Sequence, residues 1–202
     1  MDLIPSEAQV NELLEATGAL QHGHFLHPSG GTHSDAYLQL PMAMRHFWES
    51  KTLSVALSRQ LRADDEVRRC LPNVSIVAPA TGGLPVAYGV AEALRAAQTY
   101  WAEKEDGQLA FRQFMEHHAG ERVILVDDIL RTGAKLKSLQ RLAEGAGARV
   151  MALAVLVHQP FEGAQEFPGV PLFKLTTLQP RYWHKDDCPL CREGAPLTKV
   201  RV

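Results

Sequence analysis

Hydrophobic positions at the start of the chain follow the spacing of a helix and then give way to a polar stretch. Ser6 and Gln9 have the form of a capping box, and the apolar positions after them recur at helical spacing, which predicts an amphipathic helix over about residues 6–18. Residues 23–34 are rich in Gly, Ser, His and Pro, a composition typical of a loop. The Tyr and Leu content of residues 36–40 predicts a short strand after that loop.

The middle of the chain repeats an apolar run, a turn of small residues and a helix. Apolar runs at residues 74–78, 122–126 and 149–157 predict buried strands, and helices are predicted over about residues 50–63, 84–97 and 135–144. Strands that alternate with helices of this length form βαβ units with right-handed crossovers and a parallel sheet covered on both faces. The predicted class is therefore α/β.

Composition and charge narrow the range of partners. The 202 residues are 46% hydrophobic and 22% charged, as expected for one globular domain. A net charge of −2 excludes the global basic charge of a sequence-independent nucleic-acid binder, and no helix-turn-helix segment is apparent. No apolar run approaches the roughly 20 residues of a membrane span, and the first residues lack the pattern of a signal peptide. We expect a cytoplasmic protein that binds neither nucleic acid nor membranes.

The segment VILVDDILRTGAKL, residues 123–136, carries the clearest chemical signal. Ligands of open parallel sheets bind at the carboxyl ends of strands, and here a strand ends in Asp127 and Asp128 before a Thr-Gly turn that opens a helix. Backbone N–H groups at such a helix N-terminus form an anion pocket, and the carboxylates can accept hydrogen bonds from hydroxyl groups. The pattern indicates a site for a phosphorylated sugar. A plain strand-to-helix turn with solvated Asp side chains fits the same residues equally well.

This segment also resembles the phosphoribosyl-pyrophosphate (PRPP) signature of type I phosphoribosyltransferases. Four further segments are similar, in order and spacing, to orotate phosphoribosyltransferases: GHFLHPSGGTHSDAYLQL (23–40), IVAPATGGLPVAYGVAEAL (76–94), YWAEKEDGQLAFRQF (100–114) and CPLCREGAPL (188–197). The resemblance thus covers nearly the whole chain.

The resemblance implies the type I phosphoribosyltransferase fold, in one domain over residues 1–202. The core, an open parallel sheet flanked by helices, would span about residues 46–177. A small hood would come from about residues 1–45 and possibly from residues 178–202. The family also implies a homodimer.

The implied reaction is a Mg²⁺-dependent displacement of pyrophosphate from the ribose of PRPP by a nucleobase nitrogen, with orotate as the favoured acceptor. The resemblance assigns Asp127 and Asp128 to the ribose hydroxyls and places Lys104 in the mobile catalytic loop, while Mg²⁺ would bind through PRPP. The PRPP-binding set also includes Thr81, Gly82 and Gly83 at the pyrophosphate, Arg131, Thr132, Gly133, Ala134 and Lys135 around the 5′-phosphate, and Ile129 and Leu130.

Departures from the family pattern cluster on the acceptor side. Pro28 stands where orotate enzymes commonly carry a cation, and Gln159 stands where an Arg meets orotate. Because a guanidinium is the natural partner of a carboxylate, we hypothesise that Arg131 recognises the orotate carboxylate or the 5′-phosphate instead. Tyr37, Arg131 and Gln159 are therefore the base-binding candidates. A transferase for another base and a non-catalytic PRPP-binding sensor remain alternatives.

The charged segment over residues 100–121 is long for a simple connection. Segments of this kind are usually functional lids or excursions with their own hairpin, and a solvated hairpin without a catalytic role is the plainer alternative. Its Lys104 lies among acidic residues where orotate enzymes carry several basic ones, and Arg112 is a candidate second cation.

The three cysteines are Cys70, Cys188 and Cys191, and reduced thiols are expected from this odd number. His184, Cys188 and Cys191 have a spacing that could supply three zinc ligands, but a structural zinc site needs four and no fourth is apparent nearby. Histidines 22, 24, 27 and 33 are expected mostly in loop and surface roles.

Overall fold

The computed structural model describes residues 4–27, 31–112 and 119–200. Within these ranges the helices are α1 (Glu7–Ala16), α2 (Pro41–Met44), α3 (Phe47–Ala63), α4 (Asp65–Cys70), α5 (Gly83–Leu94), α6 (Ala134–Gly145) and α7 (Pro189–Arg192), with a short 3₁₀ helix at Lys185–Asp187. The strands are β1 (Leu20–Leu26), β2 (Thr32–Leu38), β3 (Ser75–Pro79), β4 (Gln98–Glu105), β5 (Gln108–Phe111), β6 (Arg122–Leu130), β7 (Arg149–His158), β8 (Leu172–Thr177), β9 (Tyr182–His184) and β10 (Leu197–Lys199).

The larger sheet has the strand order β5-β4-β3-β6-β7-β8, and all its strands are parallel except β5. Alternate residues of β6 face opposite layers: Ile124 packs with helices α1, α3 and α5, whereas Leu125 packs with α6. Because both faces of these strands are buried, their sequences are continuous apolar runs, which is why they could be recognised. The α/β class and the open sheet flanked by helices are confirmed.

The first helix follows the prediction from its cap. The Ser6 hydroxyl oxygen accepts a hydrogen bond from the backbone N–H of Gln9, and the Gln9 side-chain oxygen accepts one from the backbone N–H of Ser6. The predicted capping box therefore forms. The helix packs on β8 of the larger sheet, where Asn11 Oδ1 accepts a hydrogen bond from the Thr176 hydroxyl at 2.8 Å. The opening helix therefore packs against the core sheet, although the predicted hood began at residue 1.

The smaller sheet has the order β10-β1-β2-β9 and joins strands from both ends of the chain. Strand β1 pairs with β2 antiparallel and with β10 parallel, while β9 is antiparallel to β2. The prediction of a loop over residues 23–34 was wrong, because β1 runs to Leu26 and β2 begins at Thr32. Buried polar side chains in these strands, among them His24 and Ser34, hide the usual alternation of a strand. Pro28 lies outside the described residues.

The segment over residues 100–121 contains the β4–β5 hairpin. Its turn residues Asp106 and Gly107 both have positive φ, +47° and +83°, as a two-residue hairpin turn requires. The segment thus has its own hairpin, and residues 113–118 lie outside the described part of the chain. Among the described residues, no helix is both long enough and apolar enough to cross a bilayer.

Candidate active site

The candidate site lies at the carboxyl ends of β3 and β6, where the direction of chain winding changes. After β3 the chain continues to β4 on one side, and β6 then pairs on the other side of β3. Ligands of open α/β sheets bind in the crevice at such a point. The turn over residues 81–83 leads from β3 into α5, and the turn over residues 131–133 leads from β6 into α6, so both loops border one crevice.

Asp127 and Asp128 lie within β6, which continues to Leu130 instead of ending at the two carboxylates as predicted. Asp127 is 1% exposed and Asp128 is 8% exposed, so the alternative of two solvated side chains is wrong. The Asp128 amide donates to Asp127 Oδ1 at 3.0 Å, and the Ile129 amide donates to Asp128 Oδ1 at 2.8 Å. These bonds fix the orientation of the two carboxyl groups.

Burial and the adjacent Asp128 charge raise the pKa of Asp127 to about 8, and the Lys135 charge opposes this shift. Lys135 Nζ lies 3.2 Å from Asp127 Oδ2. At neutral pH Asp127 is therefore largely protonated in the ligand-free protein. Hydroxyl groups that donate to the pair would favour its fully ionised form.

Two glycines bring the Thr81-Gly82-Gly83 turn directly onto the carboxyl pair. A Cβ on Gly82 would lie 2.7 Å from Asp128 Oδ2, and a Cβ on Gly83 would lie 3.1 Å from both Asp127 Oδ1 and the Val126 carbonyl oxygen. Real Cβ atoms essentially never reach the first distance, so glycine is required for this approach. The structure thus brings together two groups of predicted PRPP-binding residues that are far apart in sequence.

The turn before α6 has the backbone of an anion site. Gly133 precedes the helix at φ +73°, and a Cβ there would meet Gln165 at 3.1 Å and the Phe167 ring at 3.2 Å. The first amides of a helix have no acceptor within the helix and point outward from its positive end. Lys135, in the first turn of α6, adds a side-chain cation beside them.

Arg131 lies between two aromatic rings. Its guanidinium carbon is 4.2 Å from the centre of the Tyr182 ring and 5.0 Å from that of Phe161. Its Nε is buried without a hydrogen-bond partner among the described residues. Because a buried N–H without an acceptor costs about 1–3 kcal/mol, this donor indicates a place for an anionic ligand. Sequence reasoning missed Phe161 and Tyr182, since only the folding of β9 against β2 brings Tyr182 to this loop.

Aromatic rings connect Arg131 to Tyr37 in the smaller sheet. The His27 ring lies 5.5 Å from the Tyr182 ring and 6.3 Å from the Tyr37 ring, measured between centres. Burial, and then the Arg131 charge, lower the pKa of His27, so this ring is neutral at neutral pH. Burial raises the pKa of Tyr37. Sequence reasoning missed His27, which the loop prediction had hidden.

The remaining predicted residues have less direct positions. Gln159 is buried, and its backbone N–H donates to the Leu130 carbonyl oxygen at 2.8 Å, next to the end of β6. Lys104 is exposed on β4, opposite Leu109 of the hairpin. Arg112, the candidate second cation, forms ion pairs with Glu103 at 3.1 Å and Glu105 at 3.6 Å.

Comparison with known proteins relates this chain to phosphoribosyltransferases. Residues 66–168 match the family model of the phosphoribosyl transferase domain. The orotate phosphoribosyltransferase of Heliobacterium modesticaldum is 34% identical, over 96% of this chain and 97% of its own length. That of Thermus thermophilus is 33% identical, over 95% of this chain and 99% of its own length. The solved orotate phosphoribosyltransferase from Aeropyrum pernix has a TM-score of 0.66 at 22% identity, over 84% of this chain and 93% of that chain.

Proposed function

Because the chain belongs to the orotate phosphoribosyltransferase family, we propose that it transfers the phosphoribosyl group of PRPP to orotate, a step of pyrimidine biosynthesis. A ring nitrogen of orotate loses its proton to solvent and bonds to C1 of the ribose as the bond from C1 to pyrophosphate breaks, giving orotidine 5′-monophosphate and pyrophosphate. The observation that carries this proposal is the buried pair Asp127 and Asp128 beneath the glycine turn at the strand ends.

The carboxyl pair would stabilise the sugar in the transition state. Asp127 and Asp128 accept hydrogen bonds from the ribose 2′- and 3′-hydroxyls, which favours the ionised pair. Positive charge develops on the ribose as pyrophosphate departs, and fixed carboxylates in a buried crevice stabilise that charge more strongly than water does. No protein nucleophile is required.

The two turns would hold the phosphate groups at opposite ends of the substrate. The amides at the start of α6, with Lys135, bind the 5′-phosphate, and the turn over residues 81–83 receives pyrophosphate through its backbone. Lys104 would add a cation to the leaving group from the hairpin.

Mg²⁺ would bind as part of the PRPP complex. Carboxylate oxygens suit this cation, but Asp127 Oδ2 faces Lys135 and Asp128 Oδ1 already accepts an amide, so the pair offers few free oxygens. The site therefore fits a cation held mainly by substrate oxygens. When bound, Mg²⁺ neutralises charge on the departing pyrophosphate.

We also propose a homodimer. Phe47, Trp48 and Tyr88 are exposed aromatic residues on α3 and α5, and the Tyr88 ring lies 6.4 Å from that of Trp101 on the strand that carries Lys104. Exposed aromatic clusters of this kind are typical of protein interfaces. Sedimentation velocity is expected to give twice the mass of the chain, and a monomer at micromolar concentration would contradict the dimer.

The cytoplasm is the proposed location of the reaction. No disulfide joins Cys70, Cys188 and Cys191, and cysteines without disulfides persist in reducing compartments. Fractionation of cells that express the protein would check this, and recovery in a secreted fraction would contradict it.

The test of the function is the loss of orotate absorbance in a mixture of purified protein, PRPP and Mg²⁺. We expect consumption of orotate that needs all three components and is abolished in the double variant Asp127→Asn/Asp128→Asn. Pyrophosphate release with another nucleobase but not with orotate would identify a different acceptor. PRPP binding without turnover of any base would favour a sensor.

Gly82→Ala is expected to lower kcat/KM for PRPP by roughly 10–100-fold, because the new Cβ displaces the Asp128 carboxylate and misplacement near 1 Å has effects of that size. The matched control is Gly145→Ala, where a Cβ has no neighbour within 4 Å and activity should not change. Steady-state kinetics check both variants. Wild-type kinetics in Gly82→Ala would show that the turn does not need its close approach to Asp128.

A further inference from the structure

Four side chains from the two ends of the chain converge in the smaller sheet. His24 lies on β1, His33 on β2, Cys188 just before α7, and Cys191 within α7. One potential ligand atom from each of them lies within 4.8 Å of all the others. His24, His33 and Cys188 are buried.

The nitrogen–sulfur distances among these atoms match a tetrahedral cation site, and a bound zinc ion would move the two nitrogens from their hydrogen-bonded separation to roughly 3.3 Å. His24 Nε2 lies 2.8 Å from His33 Nδ1, 3.4 Å from Cys188 Sγ and 3.6 Å from Cys191 Sγ. Cys191 Sγ lies 3.3 Å from His33 Nδ1. Zinc bound at about 2.3 Å to sulfur and about 2.0–2.1 Å to nitrogen places neighbouring N and S ligands roughly 3.5 Å apart. We propose that these two cysteines and two histidines form a structural zinc site.

The surroundings of His24 prepare its ring for this role. Its Nδ1 lies 3.0 Å from the Ala195 carbonyl oxygen, which can only accept, so Nδ1 carries the proton. Nε2 is then left with a lone pair directed at His33 and the two sulfurs. Metal-binding histidines usually have such a partner on the other ring nitrogen, which fixes both tautomer and ring orientation.

The donor set selects zinc over other cations. Two thiolates and two imidazoles in a tetrahedral arrangement suit Zn²⁺, whereas Mg²⁺ and Ca²⁺ prefer oxygen ligands. Binding would release the two thiol protons to solvent and transfer no electrons. The site is also separate from the Asp127–Asp128 pair, which lies in the larger sheet.

The ligand set differs from the one considered from sequence. His184 was the histidine with suitable spacing, but its ring is 61% exposed and lies 3.2 Å from Asp186. The ligands that sequence spacing did not reveal are His24 and His33, more than 150 positions before Cys188. They reach the cysteines because β10 pairs with β1 and β9 pairs with β2.

Zinc at this place would join the C-terminal segment to the β1–β2 hairpin. That segment includes Tyr182, whose ring covers Arg131 at the candidate active site. A four-stranded sheet with polar side chains in its interior gains much of its stability from a bound metal when one is present. The site would therefore hold the hood over the substrate without touching the substrate.

The first experiment is metal analysis of the full chain, purified without chelators from zinc-supplemented medium. We expect about one zinc per chain. Protein stripped by a chelator should bind Co²⁺ with the intense visible absorption of tetrahedral thiolate coordination. His33→Ala and Cys191→Ser should lose both signals, whereas the matched controls His184→Ala and Cys70→Ser should keep them.

Cys191→His distinguishes loss of a ligand from loss of the fold, because it keeps four ligands and should retain metal with weaker binding. Chelation should also lower the Tm of the wild type by about 5 °C or more and leave that of Cys191→Ser unchanged. Wild-type protein without zinc and without a tetrahedral Co²⁺ spectrum would overturn the proposal. Equal metal loss in His184→Ala would also contradict this ligand set. If the ligand variants do not fold, the wild-type stoichiometry and Co²⁺ spectrum decide.

Discussion

Asp127→Asn is expected to lower kcat at least about 100-fold and, at the same time, to raise the Tm of the ligand-free protein at pH 8. The activity is lost because the amide carries no negative charge to stabilise the ribose as pyrophosphate leaves, and one lost electrostatic group has effects of about 10²–10³-fold. The stability gain follows from the cost of ionising Asp127 in its buried position beside Asp128. Opposite effects on activity and stability are characteristic of active-site residues.

The pH dependence of this gain has a definite sign. The pKa of Asp127 is about 8 in the native state, against an ordinary value of 3.8. Between these values the native state holds a proton that the unfolded state has released, so the contribution of Asp127 to wild-type stability falls as pH rises from about 4 to about 8. Asn has no such titration. The Tm difference between variant and wild type should therefore be small at pH 5 and grow to several degrees at pH 8.

Thermal melts at pH 5 and pH 8, with steady-state kinetics, test the two effects separately. The matched control is Asp65→Asn, since Asp65 is exposed in α4 and pairs with Arg68 on the same helix. It should change neither kcat nor the pH dependence of Tm. A variant Asp127→Asn that melts below the wild type at pH 8 would show that the carboxylate is not under electrostatic strain.

The candidate site could be located from the sequence because most of its parts are contiguous in sequence. One strand, one turn and one helix N-terminus supply Asp127, Asp128 and the anion loop, and local patterns suffice to recognise such a unit. The core strands were equally clear, since both faces of the larger sheet are buried and the runs are apolar throughout. The glycine turn over residues 81–83 was also recognisable, but its contact with Asp128 depends on the pairing of β3 with β6.

The smaller sheet was hidden because its interior is polar. His24, His33 and Ser34 are buried in strands where an apolar side chain is the usual signal, and the stretch therefore resembled a loop. The contact between Tyr182 and Arg131 could not be predicted either, because it depends on pairing between strands that are far apart in sequence. Tyr182 reaches Arg131 only through the pairing of β9 with β2, and no local pattern encodes a contact across that many residues.

Arg131→Ala is expected to raise the KM of one substrate by roughly 10–100-fold, with a smaller effect on kcat. The guanidinium is held between the Phe161 and Tyr182 rings, and its buried Nε has no acceptor within the described residues, so an anionic substrate would supply one. A hydrogen bond to a charged group contributes about 1.5–3 kcal/mol, which corresponds to this range of KM. Arg131→Lys should also be impaired, because an ammonium group lacks the planar fork and the stacking surface.

The substrate whose KM changes identifies the anion that Arg131 recognises. An increase for orotate alone would assign the guanidinium to the orotate carboxylate, in compensation for Gln159, and an increase for PRPP alone would assign it to the 5′-phosphate. The control is Arg149→Ala, since Arg149 is exposed and pairs with Glu66 at 3.1 Å. Unchanged KM values for both substrates in Arg131→Ala would refute a role in anion recognition, and the buried Nε would then lack a functional explanation.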